Sequence, residues 1–183
     1  MINTDLKPHL NLIKEALTKV EPGYFKIQTT CEPSGIVRER AFCYELYHQI
    51  RLNQGKNPKL TLNGEIDKRN HRDFEKGDRK NPDFVFHIPG THSCNTIVME
   101  VKGIITYSDE KIKKDFTTLH KFVTKYQYIA GVFVIYNHSL EEFKGRCLQT
   151  ISEFKAITDS KRVVILAIKK ANGKPEEKLL SEL

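Results

Sequence analysis

Between Gly131 and Tyr136 the chain reads Val132-Phe133-Val134-Ile135, with no polar side chain at any step. A strand with one wet face alternates apolar and polar residues, whereas a strand covered on both faces does not. This segment therefore belongs in the interior of a sheet. A second run, Val163-Val164-Ile165-Leu166-Ala167, supplies a final strand over Arg162 to Ile168. Helices are expected before and between them. Over Asp109 to Tyr126, Ile112, Phe116, Leu119 and Val123 recur at helical spacing, leaving Lys111, Lys114, Lys121 and Lys125 outside with Asp115 and His120. Leu140 to Ile157 is the other helix.

The first half is richer in hairpins. A packing helix is expected from Asp5 to Val20, broken by Glu21-Pro22-Gly23, with an extended piece over Tyr24 to Thr30 and a loop over Cys31 to Gly35. A second helix follows over Ile36 to Asn53, its inner stripe formed by Phe42, Leu46, Gln49 and Ile50. A strand is expected over Leu60 to Lys68, then a basic loop over Arg69 to Asn81 carrying Arg69, His71, Arg72, Lys76, Arg79 and Lys80. The last fifteen residues are rich in Lys and Glu and are expected to fray. After the N-terminal helix, the order is α-β-β-β-α-β-α-β. There is no internal repeat, low-complexity segment or long linker.

Two short strings carry the chemistry: Pro82-Asp83 and Glu100-Val101-Lys102. Thr96 to Lys102 is β-branched and apolar, and Gly103 ends it. Alternation puts Ile97, Met99 and Val101 on one face and Val98, Glu100 and Lys102 on the other, the last two about 7 Å apart at Cα. In the preceding strand, Phe84, Phe86 and Ile88 share one face, and Asp83, Val85 and His87 the other. Pro82 suits the first strand position, and Pro89 to Asn95 reads as a hairpin loop. An antiparallel pair with suitable register sets Asp83 beside Glu100. Mg²⁺ takes oxygen ligands and commonly uses one or two carboxylates plus water and phosphate. Asp83 and Glu100 are the candidate ligands, with Mn²⁺ as a substitute ion and the Val101 carbonyl as an extra donor. Lys102 is a compact positive charge for orienting water or stabilising phosphate oxygens. Alone, a Glu-x-Lys in a strand commonly marks a solvated face; it is the combination with Pro-Asp in matching apolar strands that points to a site. Glu65 is a minor candidate, since a wet sheet face also accounts for it.

These residues resemble the PD-(D/E)xK nuclease superfamily, at Asp83, Glu100 and Lys102, over about residues 35 to 170. The resemblance implies a restriction-endonuclease-like fold, a mixed sheet of αβββαβ order flanked by helices, here with an extra N-terminal helix. It also implies Mg²⁺ dependence and nucleic-acid hydrolysis. Superfamily members often carry an acid on the helix before the first core strand, and Glu45 is placed to match it as a further catalytic and metal-binding residue. The Gln-x-x-x-Tyr string of the recombination exonuclease branch is not evident.

The length of 183 residues suits one domain, with no room for a separate target-recognition domain. A net charge of +7 favours an anionic partner. Aromatics do not alternate with Lys or Arg as in an RNA-stacking platform. Cys31, Cys43, Cys94 and Cys147 lack close pairing, and His87, His92 and Cys94 fall short of a four-ligand zinc site. With no signal peptide and no apolar run near twenty residues, the expectation is a soluble, reduced, cytoplasmic chain with no membrane partner. No Gly-rich phosphate loop or nucleophile elbow is present. The reading is a metal-dependent endonuclease acting on DNA, for which a homodimer would suit two-strand cutting. Its alternative is a non-catalytic nuclease-fold module that binds nucleic acid or a protein.

Overall fold

Short β-branched and aromatic runs, separated by stretches of helical spacing, build helical layers on both faces of one sheet. The computed structural model describes residues 6–56, 58–65, 81–90, 94–103 and 110–183. Among them are the helices α1 (Lys7–Lys19), α2 (Pro22–Phe25), α3 (Glu39–Asn53), α4 (Glu110–Thr124) and α5 (Leu140–Ile157). The strands are β1 (Thr61–Gly64), β2 (Phe84–His87), β3 (Ile97–Lys102), β4 (Ala130–Tyr136), β5 (Val163–Ile168) and β6 (Glu176–Leu179). They form a six-stranded mixed sheet in chain order. β1, β2 and β3 are antiparallel neighbours, β3, β4 and β5 run parallel, and β6 returns antiparallel along β5. Parallel neighbours need a crossover, which α4 and α5 supply.

Alternation along each strand sorts the core into two halves. Ile97, Met99 and Val101 of β3 pack with Val132, Val134 and Tyr136 of β4 against α1 and α3, through Ile13, Leu17, Phe42 and Leu46. Val98, Phe133 and Ile135 face the other way, onto Ile112, Phe116 and Leu119 of α4 and Phe143 and Ile151 of α5. All of β4 is buried, which is what its unbroken apolar run requires. α5 starts at a capping box: the Ser139 hydroxyl accepts from the Glu142 N–H, and the Glu142 carboxylate accepts from the Ser139 N–H.

Four expectations change. The extended piece at Tyr24 to Thr30 instead begins inside a helical turn, because Pro22 at the first helical position pre-sets φ and needs no N–H partner. One bridge, Ile27 to Ile36, remains of it, and this pairing delays the start of α3 to Glu39. β1 stops at Gly64, and Glu65 turns the backbone to φ 43°. The C-terminal segment is ordered: it forms β6 and a 3₁₀ turn over Leu180–Glu182. Leu179 and Leu180 are buried, while Glu176 and Lys178 sit exposed on the edge strand, where charge discourages pairing with another chain. Ile66, Asp67 and the basic loop up to Lys80 lie outside the described residues, as does His92. No disulfide joins Cys31, Cys43, Cys94 or Cys147. Among the described residues, no helix is long and apolar enough to cross a membrane.

Candidate active site

The β2–β3 register pairs Phe84 with Met99, Val85 with Val98 and Phe86 with Ile97. One further step in the same register sets Asp83 opposite Glu100. Opposed residues on neighbouring strands project from one face, here the face covered by α4. Asp83 stands at the mouth of β2, where its Oδ2 accepts a 2.7 Å hydrogen bond from the Val101 N–H. The side chain thus extends the pairing by one residue and is held against the end of β3. Two residues beyond Glu100, Lys102 emerges on the same side. Its Nζ lies 2.9 Å from Asp115 Oδ2 of α4 and donates to Glu39 Oε2 of α3 at 3.0 Å. One ammonium therefore joins the helical layers on both sides of the sheet.

These groups share a cavity of about 430 Å³, whose charged lining is Glu39, Asp83, Glu100, Lys102, Lys114 and Asp115. It lies at the carboxyl end of the parallel strand β3, where α/β sheets commonly bind ligands. Four carboxylates face two ammonium groups, a formal surplus of two negative charges. Burial sets the proton affinities. Asp83 is pushed up to about 6, chiefly by burial, with the Val101 N–H and Lys102 pulling the other way. Glu100 is raised well above the usual carboxylate range by burial, then by Asp83 and Asp115. Burial likewise raises Asp115, against the pull of Lys102. For Lys102, burial disfavours the ammonium, but Asp115 and Glu39 outweigh it and hold the group protonated above its ordinary range.

Of the residues singled out from sequence, Asp83, Glu100 and Lys102 are brought together. Glu45 is not: it is buried on α3, and its Oε1 accepts from Gln49 at 2.7 Å. The α3 acid at the cavity is Glu39, six residues earlier and about 120° away around the helix. Glu65 lines a neighbouring cleft and pairs with Arg40 at 3.3 Å. Three residues were not anticipated, and two carried a signal. Glu39 shares the apolar stripe of Phe42, Leu46 and Ile50, and Asp115 lies between Ile112 and Leu119 on the inward stripe of α4. An acid in an apolar stripe calls for a buried partner. Asp115 is accordingly buried rather than on the outer face. Lys114 showed no such signal.

The donor set fits a hard divalent cation. Asp83 and Glu100 offer oxygen donors from adjacent strands, and a 2+ ion would balance the formal charge of the pocket. Among the described residues, no three His, Cys, Asp or Glu side chains close around one point. Magnesium held by two carboxylates, with water and phosphate oxygens completing its shell, does not require three. Comparison with protein-family models, curated proteins and solved structures finds no match to this chain.

Proposed function

We propose that this chain is a Mg²⁺-dependent nuclease with a restriction-endonuclease-like core, hydrolysing phosphodiester bonds of DNA. The observation that carries the reading is the meeting of Asp83, Glu100 and Lys102 in one buried polar cavity at the end of β3. The element order α3-β1-β2-β3-α4-β4 and the mixed sheet support the same core.

Asp83 and Glu100 would hold the ion. When bound, it supplies Lewis acidity toward the phosphate and a water of lowered pKa. The chain's own groups do the rest. Lys102 keeps its proton because Asp115 and Glu39 flank it. It is therefore a fixed positive charge for phosphate oxygens as negative charge builds, and not a proton acceptor. Lys114 adds a second cation on the α4 wall. The Val101 N–H holds Asp83 in place, so its second oxygen can turn to the cavity.

The test uses supercoiled plasmid, single-stranded DNA and RNA, each with Mg²⁺, Mn²⁺ or chelator. The expected result is metal-dependent cleavage of DNA that Glu100→Gln and Lys102→Ala both abolish. Binding without cleavage on every substrate would favour a nuclease-fold binding module instead.

A further inference from the structure

Beside the catalytic pocket lies a larger cleft of about 610 Å³, within the range of about 300–1,000 Å³ usual for small-ligand sites. The two cavities share Glu39 and Asp83. One wall of the cleft is a single face of α3, carrying Arg40, Tyr44 and Tyr47; the other is the end of β1, at Asn63 to Glu65, with Phe84. Tyr47 is fixed: its ring stacks beside Phe84 with centroids 6.3 Å apart and planes at 21°, and its hydroxyl donates to the Leu62 carbonyl at 3.4 Å. Tyr44, one turn earlier, is 66% exposed.

We propose that this cleft receives one unpaired nucleotide of the DNA strand being cut, with its base against Tyr44 and Tyr47. The assignment rests on the nuclease reading for its polarity along the strand: a scissile phosphate in the small cavity sets the adjoining nucleoside in the large one. Charge selects a base over a second phosphate. Glu39, Glu65 and Asp83 outnumber Arg40, so the cleft repels phosphate and accepts hydrogen bonds. Cytosine, adenine and guanine carry exocyclic amino groups that donate to carboxylates, whereas an unpaired thymine offers only its N3–H, set between two carbonyl oxygens that a carboxylate would repel. Aromatic side chains add a stacking surface that any base can use. A base inside a duplex has both faces stacked, so only an unpaired or flipped-out nucleotide fits. The Arg40–Glu65 pair spans the two walls at 3.3 Å with side chains 70% and 55% exposed. Such an exposed pair is weak in water, and an incoming base can replace it by donating to the Glu65 carboxylate.

The test is fluorescence anisotropy with the full chain in chelator, so that nothing is cut, using labelled oligo(dC), oligo(dT) and a duplex of equal length. Single strands are expected to bind more tightly than duplex, and oligo(dC) more tightly than oligo(dT). Tyr44→Ala should weaken oligo(dC) about tenfold and duplex less than twofold, with its circular dichroism unchanged. Glu65→Gln should erase the preference for dC. Equal affinities for all three probes, or wild-type binding by Tyr44→Ala, would overturn the proposal. Metal-dependent plasmid cleavage alongside those flat results would remove the cleft assignment and leave the nuclease reading standing. Tyr44-dependent single-strand binding with no cleavage would do the reverse.

Discussion

The Lys102 ammonium reaches Asp115 at 2.9 Å and Glu39 at 3.0 Å, so its removal strands two acids, one of them buried. Breaking one side of a buried pair costs about 3–5 kcal/mol, mostly from the charge left behind. Lys102→Ala should therefore be destabilised by about that amount in urea denaturation. Asp115→Asn in the same background should recover part of the loss, with a coupling of about 1–3 kcal/mol. Strictly additive effects would mean that the two side chains do not act as a pair. Asp83 gives a pH test of the same pocket. Its carboxyl ionises near 3.8 in an unfolded chain and near 6 when folded, chiefly because it is buried. The folded state holds the proton more tightly. Its contribution to stability is thus fully present below 3.8 and is lost as pH rises through about 6. Well above that, the ionised group costs up to about 3 kcal/mol in the absence of a cation. Asp83→Asn keeps an acceptor for the Val101 N–H and sheds the charge. In chelator it should raise the melting temperature at pH 8, by roughly 2–4 °C per kcal/mol, and the gain should shrink steadily toward pH 4. A gain independent of pH would remove ionisation as the cause.

β3 ends where it does because of what lies beside Gly103. A Cβ there would overlap the Tyr136 ring, which is itself stacked on Phe42 at 3.8 Å with the planes 5° apart. The glycine lets the backbone pass over that ring, directly after Lys102. Gly103→Ala should cost about 1–3 kcal/mol through overpacking, and Tyr136→Leu should restore most of it. A neutral Gly103→Ala would show that the strand end moves freely. Much of this architecture was legible. The unbroken apolar run of β4 predicted a strand covered on both faces, and the alternation in β3 predicted that Glu100 and Lys102 share a side. What escaped depended on pairings between distant segments. Whether α3 offers Glu39 or Glu45 to the site is decided by where the helix starts and which face meets the sheet, and the Ile27–Ile36 bridge sets that start. The Lys and Glu content of residues 176–179 hid an edge strand whose reason for ordering is the open edge of β5 and the burial of Leu179 and Leu180. Asp115 was readable as an acid inside an apolar stripe, but its partner, Lys102 on the adjoining sheet, was not.

Over the whole molecule, charge is arranged on two scales. The chain carries a net charge of +7, yet the candidate site holds four carboxylates against two ammonium groups. On the proposed nuclease reading, the outer field would draw a polyanion from a distance, while the ionised acids of the pocket would oppose a phosphate until a cation is present. Two consequences separate these scales. Binding to DNA in chelator should weaken steeply with salt, log K falling linearly with log salt, because counterions are released from the backbone. Burial favours the protonated, uncharged form of Glu100, so Glu100→Gln should bind DNA about as tightly as the native chain under those conditions. With Mg²⁺ present the native chain should bind the more tightly, because the variant would lack one of the two proposed ion ligands. Titrating a labelled, nuclease-resistant DNA analogue with both proteins, at several salt concentrations with and without Mg²⁺, gives all four affinities. If Mg²⁺ left the ratio of native to variant affinity unchanged, Glu100 would not be facing a cation, and the charge surplus of the pocket would need another explanation.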